Sequence, residues 1–98
     1  MSLFYWNIWG QGTFDLNFDV RGLANVNRHT VCLASITEIS QPQGQALDFP
    51  FQGAATLRIN NIVPLDPSPV HPAGSINVRV EIDWGSVLNA RIYFAVFD

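Results

Sequence analysis

Two stretches of the chain alternate strictly between apolar and polar residues, and this period of two constrains the fold more than any other feature. The stretches are residues 13–21, TFDLNFDVR, and residues 76–84, INVRVEIDW. Because successive side chains of a strand point to opposite faces, both predict half-buried antiparallel strands. Their predicted core-facing residues are Phe14, Leu16, Phe18 and Val20 in the first stretch and Ile76, Val78, Val80, Ile82 and Trp84 in the second.

Shorter apolar stretches between turn residues predict five further strands, and no window of 11 or more residues shows a helical stripe. These strands are placed near residues 3–9, 29–39, 46–51, 54–63 and 87–97, with one of the intervening turns at Pro42 and Gly44. About seven strands at turn intervals of roughly 8 to 12 residues predict an all-β fold. We therefore expect residues 1–98 to form a single antiparallel β-sandwich domain, Greek-key or jelly-roll-like, without significant helix.

The longest connection is PLDPSPVHPAG, residues 64–74, which contains four prolines. Proline-rich segments adopt stiff, extended conformations. This connection therefore predicts a rigid crossover of the kind that returns the chain in a Greek key or jelly roll.

Charged residues make up 13% of the chain, about half of the roughly 25% that is usual. All five cations are arginine, and the chain contains no lysine. Lysine often keeps exposed sheet edges apart, whereas the flat, weakly hydrated guanidinium of arginine tolerates interfaces. With seven phenylalanines besides, this composition predicts a protein that contacts a partner.

The formal net charge of −3 and a pI near 5 disfavour nucleic acid and anionic membrane surfaces as partners, because both require a basic patch. No apolar run approaches the roughly 20 residues of a transmembrane helix, and no signal-peptide pattern begins the chain. The single cysteine, Cys32, has no partner for an internal disulfide. We expect a cytoplasmic protein by default, with export by another route still open.

Two short patterns carry candidate chemistry beside a simpler structural explanation. His29 and Cys32 form a candidate base and nucleophile, but on a strand their odd spacing puts them on opposite faces. Cys32 is then a small buried hydrophobe. Asp15, Asn17 and Asp19 resemble part of a calcium loop, yet the outer two lie roughly 13 Å apart on a strand. A solvated strand face is expected, and no metal site.

The carboxylates of Glu81 and Asp83 project from one face about 7 Å apart, a spacing compatible with a paired-carboxylate hydrolase. Nothing else in the sequence supports that activity, so it is a remote alternative. The acids are expected instead to form cross-strand ion pairs with Arg79 and Arg91. His71 is interpreted as a surface loop residue. The sequence predicts no catalytic residue and no cofactor.

A carbohydrate site is a second hypothesis, since aromatic rings stack on sugars while amides bind their hydroxyl groups. Trp9 supplies an aromatic ring and nearby polar residues supply amides. The predicted ligand-binding residues are Asn7, Trp9, Gln11, Asn25 and Asn27. On this hypothesis the protein is a small multivalent lectin with a glycan partner.

The first and last strands are apolar on both faces, which a half-buried strand does not require. If Phe4, Trp6 and Ile8 face the core, then Leu3, Tyr5 and Trp9 face outward. In the last strand the residues Leu88, Ala90, Ile92, Phe94 and Val96 oppose the residues Val87, Tyr93, Ala95 and Phe97. We expect the surplus surface of both strands to exceed the roughly 300–600 Å² that is normal for the largest patch of a monomer.

This surplus favours a non-catalytic sandwich that self-associates, as a homo-oligomer or as an open array. Its terminal strands are expected to carry the contact, with four aromatic anchors and one pairing cation. The predicted interface residues are Tyr5, Trp9, Arg91, Tyr93 and Phe97.

Overall fold

The computed structural model describes residues 1–40 and 49–98, which form seven antiparallel strands in two sheets. The strands are β1 (Ser2–Gly10), β2 (Gly12–Asp19), β3 (Val31–Ser40), β4 (Phe49–Phe51), β5 (Thr56–Leu65), β6 (Ser75–Asp83) and β7 (Leu88–Phe97). One sheet has the strand order β1-β7-β3-β4 and the other the order β2-β6-β5. The described residues form no helix, so none is long and apolar enough to cross a membrane. The predicted all-β antiparallel fold is confirmed.

The alternating stretches build the core as the period of two predicts. On β6, the middle strand of its sheet, Ile76, Val78, Val80 and Ile82 are fully buried. On β7, Ala90, Ile92, Phe94 and Val96 are buried from the other side. Two ring contacts join the sheets, since Phe18 stacks on Trp6 at 4.7 Å and meets Phe94 edge-on at 5.3 Å. The core therefore fills the space between the two sheets.

The proline-rich connection differs from its prediction. β5 runs through Pro64 to Leu65, and Leu65 lies opposite Ser75 at the start of β6. Residues 66–74 therefore form a long hairpin loop between neighbouring strands of one sheet and not a crossover. The backbone amide of Gly74 closes its turn by donating to the carbonyl of His71. Gly74 has a φ of 88°. Prolines stiffen a loop but do not determine which strands it joins.

The chain changes sheet at other connections, the longest of which is residues 20–30 between β2 and β3. A single residue, Gln11, separates β1 from β2, and the positive φ of 75° at Gly12 allows this tight corner between the sheets. The prediction for Trp84 was also wrong. β6 ends at Asp83, so Trp84 lies in the following turn and is exposed. The strand predicted at 46–51 is present as β4, while residues 46–48 and the turn predicted at Pro42 and Gly44 lie outside the described residues.

Candidate interaction surface

The side of the four-stranded sheet that faces away from the core is covered with large apolar side chains. We call it the apolar face. Exposure of these side chains ranges from 37% for Tyr93 to 73% for Trp9. Its members are Leu3, Tyr5 and Trp9 on β1, Tyr93 and Phe97 on β7, and Val31 and Leu33 on β3.

Strand register brings six of these side chains together, whereas Asn7 and Arg91 lie between them and Trp9. Tyr5 lies opposite Tyr93, and their ring centroids are 6.2 Å apart. Phe97 lies opposite Val31, and the small Ala95 separates Leu3 from Leu33. Directly opposite residues of neighbouring strands bring their Cβ atoms within about 4.5–5.5 Å. Two shallow hollows of about 250 and 280 Å³ open between these side chains, and Leu3 and Tyr93 line both.

Among the described residues, Arg91 is the only charged residue of β1, β3 and β7 whose side chain lies on this face. Its Nε donates to Asn7 Oδ1 at 2.8 Å, and its guanidinium carbon lies 4.4 Å from the ring centroid of Tyr5. Such a cation–π contact is stronger where water is excluded. This cation of the apolar face therefore lies over an aromatic ring, an arrangement that suits a buried interface.

The outward side of the three-stranded sheet, which we call the polar face, has a different composition. Arg79 donates to both carboxylate oxygens of Asp15, at 2.8 and 3.1 Å. This hydrogen bonding holds the pKa of Asp15 below its ordinary value of 3.8. Asn17 Nδ2 donates to Asn77 Oδ1 at 2.6 Å. These groups pair with each other while they stay in contact with water, as a solvated sheet face requires.

The structure places all five predicted interface residues, Tyr5, Trp9, Arg91, Tyr93 and Phe97, on the apolar face. Two members of that face, Val31 and Leu33, were not among them. The stretch VCLAS is apolar on both sides of its alternation, so the sequence did not indicate which side of β3 faces outward. The register between β3 and β7 settles this, because it aligns Leu33 with Ala95.

The predicted carbohydrate-binding residues do not form one site. Asn7 and Trp9 lie on the apolar face, and the Gln11 side chain donates to the carbonyl of Trp84 at 3.2 Å. The Asp98 carboxylate accepts hydrogen bonds both from the backbone amide of Asn25 and from the hydroxyl of Ser2. Asn25 therefore lies near Ser2, at the start of β1. Trp9 is seven residues further along β1 than Ser2, a distance of roughly 24 Å.

Asn27 lies in the same loop as Asn25, where its backbone amide donates to the hydroxyl of Thr30. Thr30 directly precedes β3, whose first residue lies opposite Phe97 near the end of the chain. Asn25 and Asn27 are thus at the opposite end of the sheet from Trp9.

The candidate base and nucleophile are also separated. His29 is exposed in the loop before β3, whereas Cys32 is half-buried and packs against the core. Burial raises the pKa of the Cys32 thiol, with a smaller contribution from the charge of Asp98. The thiol is therefore protonated at neutral pH and is a weak nucleophile.

Each residue of the superficial calcium pattern has a partner of its own. Asp15 is paired with Arg79 and Asn17 with Asn77, as described above. Asp19 accepts from the backbone amide of Arg21 at 3.0 Å and lies 3.4 Å from His71 Nδ1. Within the described ranges, no three His, Cys, Asp or Glu residues are grouped as metal ligands.

The structure gives Glu81 other partners than the predicted Arg79 and Arg91. Glu81 accepts from Asn60 Nδ2 at 3.1 Å and lies 3.8 Å from Arg58 Nε. Arg79 is paired with Asp15, and Arg91 belongs to the other sheet. The prediction went wrong because alternation shows which face a residue occupies but not which strand lies beside it.

Comparison with known proteins adds no relative, since no family model, no curated protein and no solved structure matches the chain.

Proposed function

We propose that this protein is a non-catalytic β-sandwich that self-associates through its apolar face. The observation that carries the proposal is the group of seven large apolar side chains exposed on one side of one sheet, where Arg91, the only cation on that side among the described residues, lies over the ring of Tyr5. Isolated exposed hydrophobic residues are ordinary, but a contiguous group of this size is typical of a contact surface.

The amount of exposed apolar surface supports a stable contact. At about 150–250 Å² for a whole aromatic side chain, four half-exposed aromatics contribute roughly 400 Å². Val31, Leu3 and Leu33, each more than half exposed, raise the apolar area to about 600 Å², which is the top of the range normal for the largest patch of a monomer and not above it as expected. A standard interface buries about 800 Å² per partner, including its polar rim. At about 25 cal/mol per Å², burial of the face stabilises an assembly by on the order of 10 kcal/mol before the costs of association.

A second copy of the chain is the occupant that fits this face best. Two identical sheets carry the same right-handed twist, and sheets of equal twist stack face to face with their strands about 30° apart. The domain already contains one contact of this kind, between its own two sheets. A second apolar face also meets the first without introducing carboxylates or lysines that would have to be desolvated.

The test compares solution mass across matched variants. Replacing Leu33 and Tyr93 by threonine keeps β-forming residues in β3 and β7 but removes apolar area from the face. We expect the dissociation constant, measured by sedimentation equilibrium, to rise at least 30-fold in this double variant. The control is Val63→Thr, an exposed valine on the polar face, which should leave the constant within about twofold of the unmodified chain. Equal dissociation constants for the double variant, the Val63→Thr control and the unmodified chain would show that the apolar face is not the contact surface.

Carbohydrate binding is the second candidate function, favoured by the surroundings of Trp9. This ring is the most exposed of the apolar face, Asn89 lies opposite it on β7 and Asn7 precedes it on the same side of β1. A lectin of this kind predicts quenching of tryptophan fluorescence by monosaccharides at millimolar concentration, and Trp9→Ala should abolish the quenching. Unchanged fluorescence across a panel of hexoses and amino sugars would eliminate it.

A further inference from the structure

The four edges of the two sheets are protected unequally. An edge strand exposes a row of unpaired backbone N–H and C=O groups, which other strands can pair with unless charges, prolines, bulges or short length prevent it. β4 is three residues long and contains Pro50. β5 has a register shift between Ile59 and Asn61 and contains Pro64. β2 carries two aspartates among its eight residues.

β1 carries none of these protective features. Its nine residues, SLFYWNIWG, include no charge and no proline, and its register with β7 shows no shift from Ser2 to Gly10. It is also rich in aromatic residues, which favour strands. Within the described residues β7 is its sole hydrogen-bonded neighbour, so the other side of β1 is an open edge.

We propose that β1 pairs antiparallel with β1 of a second copy, which joins two four-stranded sheets into one continuous sheet of eight strands. The inference rests on the proposed self-association and adds a second, separate contact to it. The register with Trp6 of one copy opposite Trp6 of the other uses all nine residues. Leu3 of one copy then lies opposite Trp9 of the other, and Phe4 opposite Ile8.

This register places outward side chains opposite outward side chains and core-facing side chains opposite core-facing ones. In antiparallel pairing, directly opposite side chains lie on the same side of the sheet. Outward Leu3 meets outward Trp9, and core-facing Phe4 meets core-facing Ile8. On the order of eight new backbone hydrogen bonds form across the dyad, because alternate residues of each β1 direct both backbone groups away from β7.

Edge pairing enlarges the apolar face without covering it. The two apolar faces come to lie side by side on the same surface of the eight-stranded sheet, and each still needs an opposing surface. The edge contact and the face contact are therefore compatible, and a copy that uses both contacts two different neighbours. Two isologous contacts per copy give assemblies of four copies or more.

Hydrogen exchange on the unmodified chain tests the edge contact directly. Amides of β1 that bind β7 should be protected at every concentration, whereas the alternate amides should exchange fast in dilute protein. Above the concentration at which sedimentation shows association, we expect those alternate amides to slow at least 10-fold. The β2 amides that point away from β6 provide the internal control, because β2 is the edge strand with two aspartates. Their exchange rates should not change with concentration.

The outcomes separate the two proposals. A rise in mass with slowed alternate β1 amides supports the edge contact. A rise in mass with unchanged alternate β1 amides overturns the edge contact and leaves the face contact standing. An unchanged mass overturns the proposed self-association, and the edge contact with it.

Disulfide trapping gives an independent test of the register. In a Cys32→Ala background, Leu3→Cys and Trp9→Cys chains are mixed, because directly opposite strand residues lie within disulfide reach. We expect the mixture to cross-link at least 10-fold faster than either chain alone. The matched control mixes Leu3→Cys with Tyr5→Cys, which the register does not place opposite each other. Equal rates in both mixtures would overturn the register.

Discussion

The two outward faces of the sandwich are built by the same alternation and yet carry opposite chemistry. On β2 and β6 the outward positions are filled with aspartate, asparagine, arginine and glutamate, whereas on β1 and β7 they are mostly leucine, tyrosine, tryptophan and phenylalanine. The inward positions of both sheets are apolar because both contribute to one core. The outward positions are not constrained by that core, so the difference between the faces is the basis of the proposed contact.

Arginine shows the same difference at the level of a single residue. Arg79 on the polar face forms a two-point ion pair with Asp15, and both side chains are more than half exposed. Arg91 on the apolar face is half-buried, with its charge over the ring of Tyr5 and its Nε bound to Asn7. The first arrangement suits contact with water, and the second suits contact with protein.

The sharpest way to separate inward from outward positions is to truncate two phenylalanines of the same strand. Phe94 is buried in the core and Phe97 is half exposed on the apolar face. We expect Phe94→Ala to lower the free energy of unfolding by about 3–5 kcal/mol because it leaves a cavity. Phe97→Ala should lower it by less than about 1 kcal/mol in dilute protein. Urea denaturation below the association concentration measures both, and equal losses would contradict the assignment of faces.

Placing a lysine on each outward face tests the faces against each other. Phe97→Lys puts a strongly hydrated charge on the apolar face, where association would have to desolvate it. We expect the dissociation constant of the assembly to rise at least 100-fold, equivalent to about 3 kcal/mol. Val63→Lys puts the same charge on the polar face and should change the constant less than threefold. Sedimentation at fixed salt concentration compares the two, and a similar loss in both would contradict a specific role for the apolar face.

Acid should weaken the fold through the aspartates that lie outside the apolar face. The pKa of Asp15 is lowered by its hydrogen bonds from Arg79, and that of Asp66 by hydrogen bonds from the backbone and side chain of Arg28. A carboxyl group whose pKa is lower in the folded state adds stability above its unfolded pKa of about 3.9 and loses it as the pH falls through the folded value. We expect the free energy of unfolding to decline from pH 5 to pH 2, and to decline less in Asp15→Asn.

The measurement is urea denaturation at pH 7, 4, 3 and 2. Because both carboxyl groups are exposed, this effect should be the smallest of the three. An unfolding free energy that is flat below pH 4, or identical slopes for Asp15→Asn and the unmodified chain, would show that these ion pairs contribute nothing.

Much of this architecture was predictable because alternation is a local signal. Each of the seven predicted strands has a counterpart, and the core-facing sides of β2 and β7 are those that the period of two indicates. The outward side of β1 was stated only as a condition, because both sides of its alternation are apolar. β3 was harder, because residues such as Val31 and Cys32 are apolar on both sides of the alternation.

Features that depend on which strands are neighbours were not predictable from local pattern. The proline-rich segment was expected to cross between sheets, but the pairing of Leu65 with Ser75 makes it a hairpin loop. The partner of Glu81 was misassigned, because sheet order and not alternation brings Arg58 beside it. Trp84 continues the alternation in sequence but lies beyond the end of its strand.

Sedimentation equilibrium of the unmodified chain from about 1 to 100 µM tests the central claim most directly. The apolar face predicts a mass that rises with concentration to a multiple of the 10.9 kDa chain, and the open β1 edge predicts four copies or more. A single 10.9 kDa species across the whole range, with the apolar face still open to water, would contradict the account.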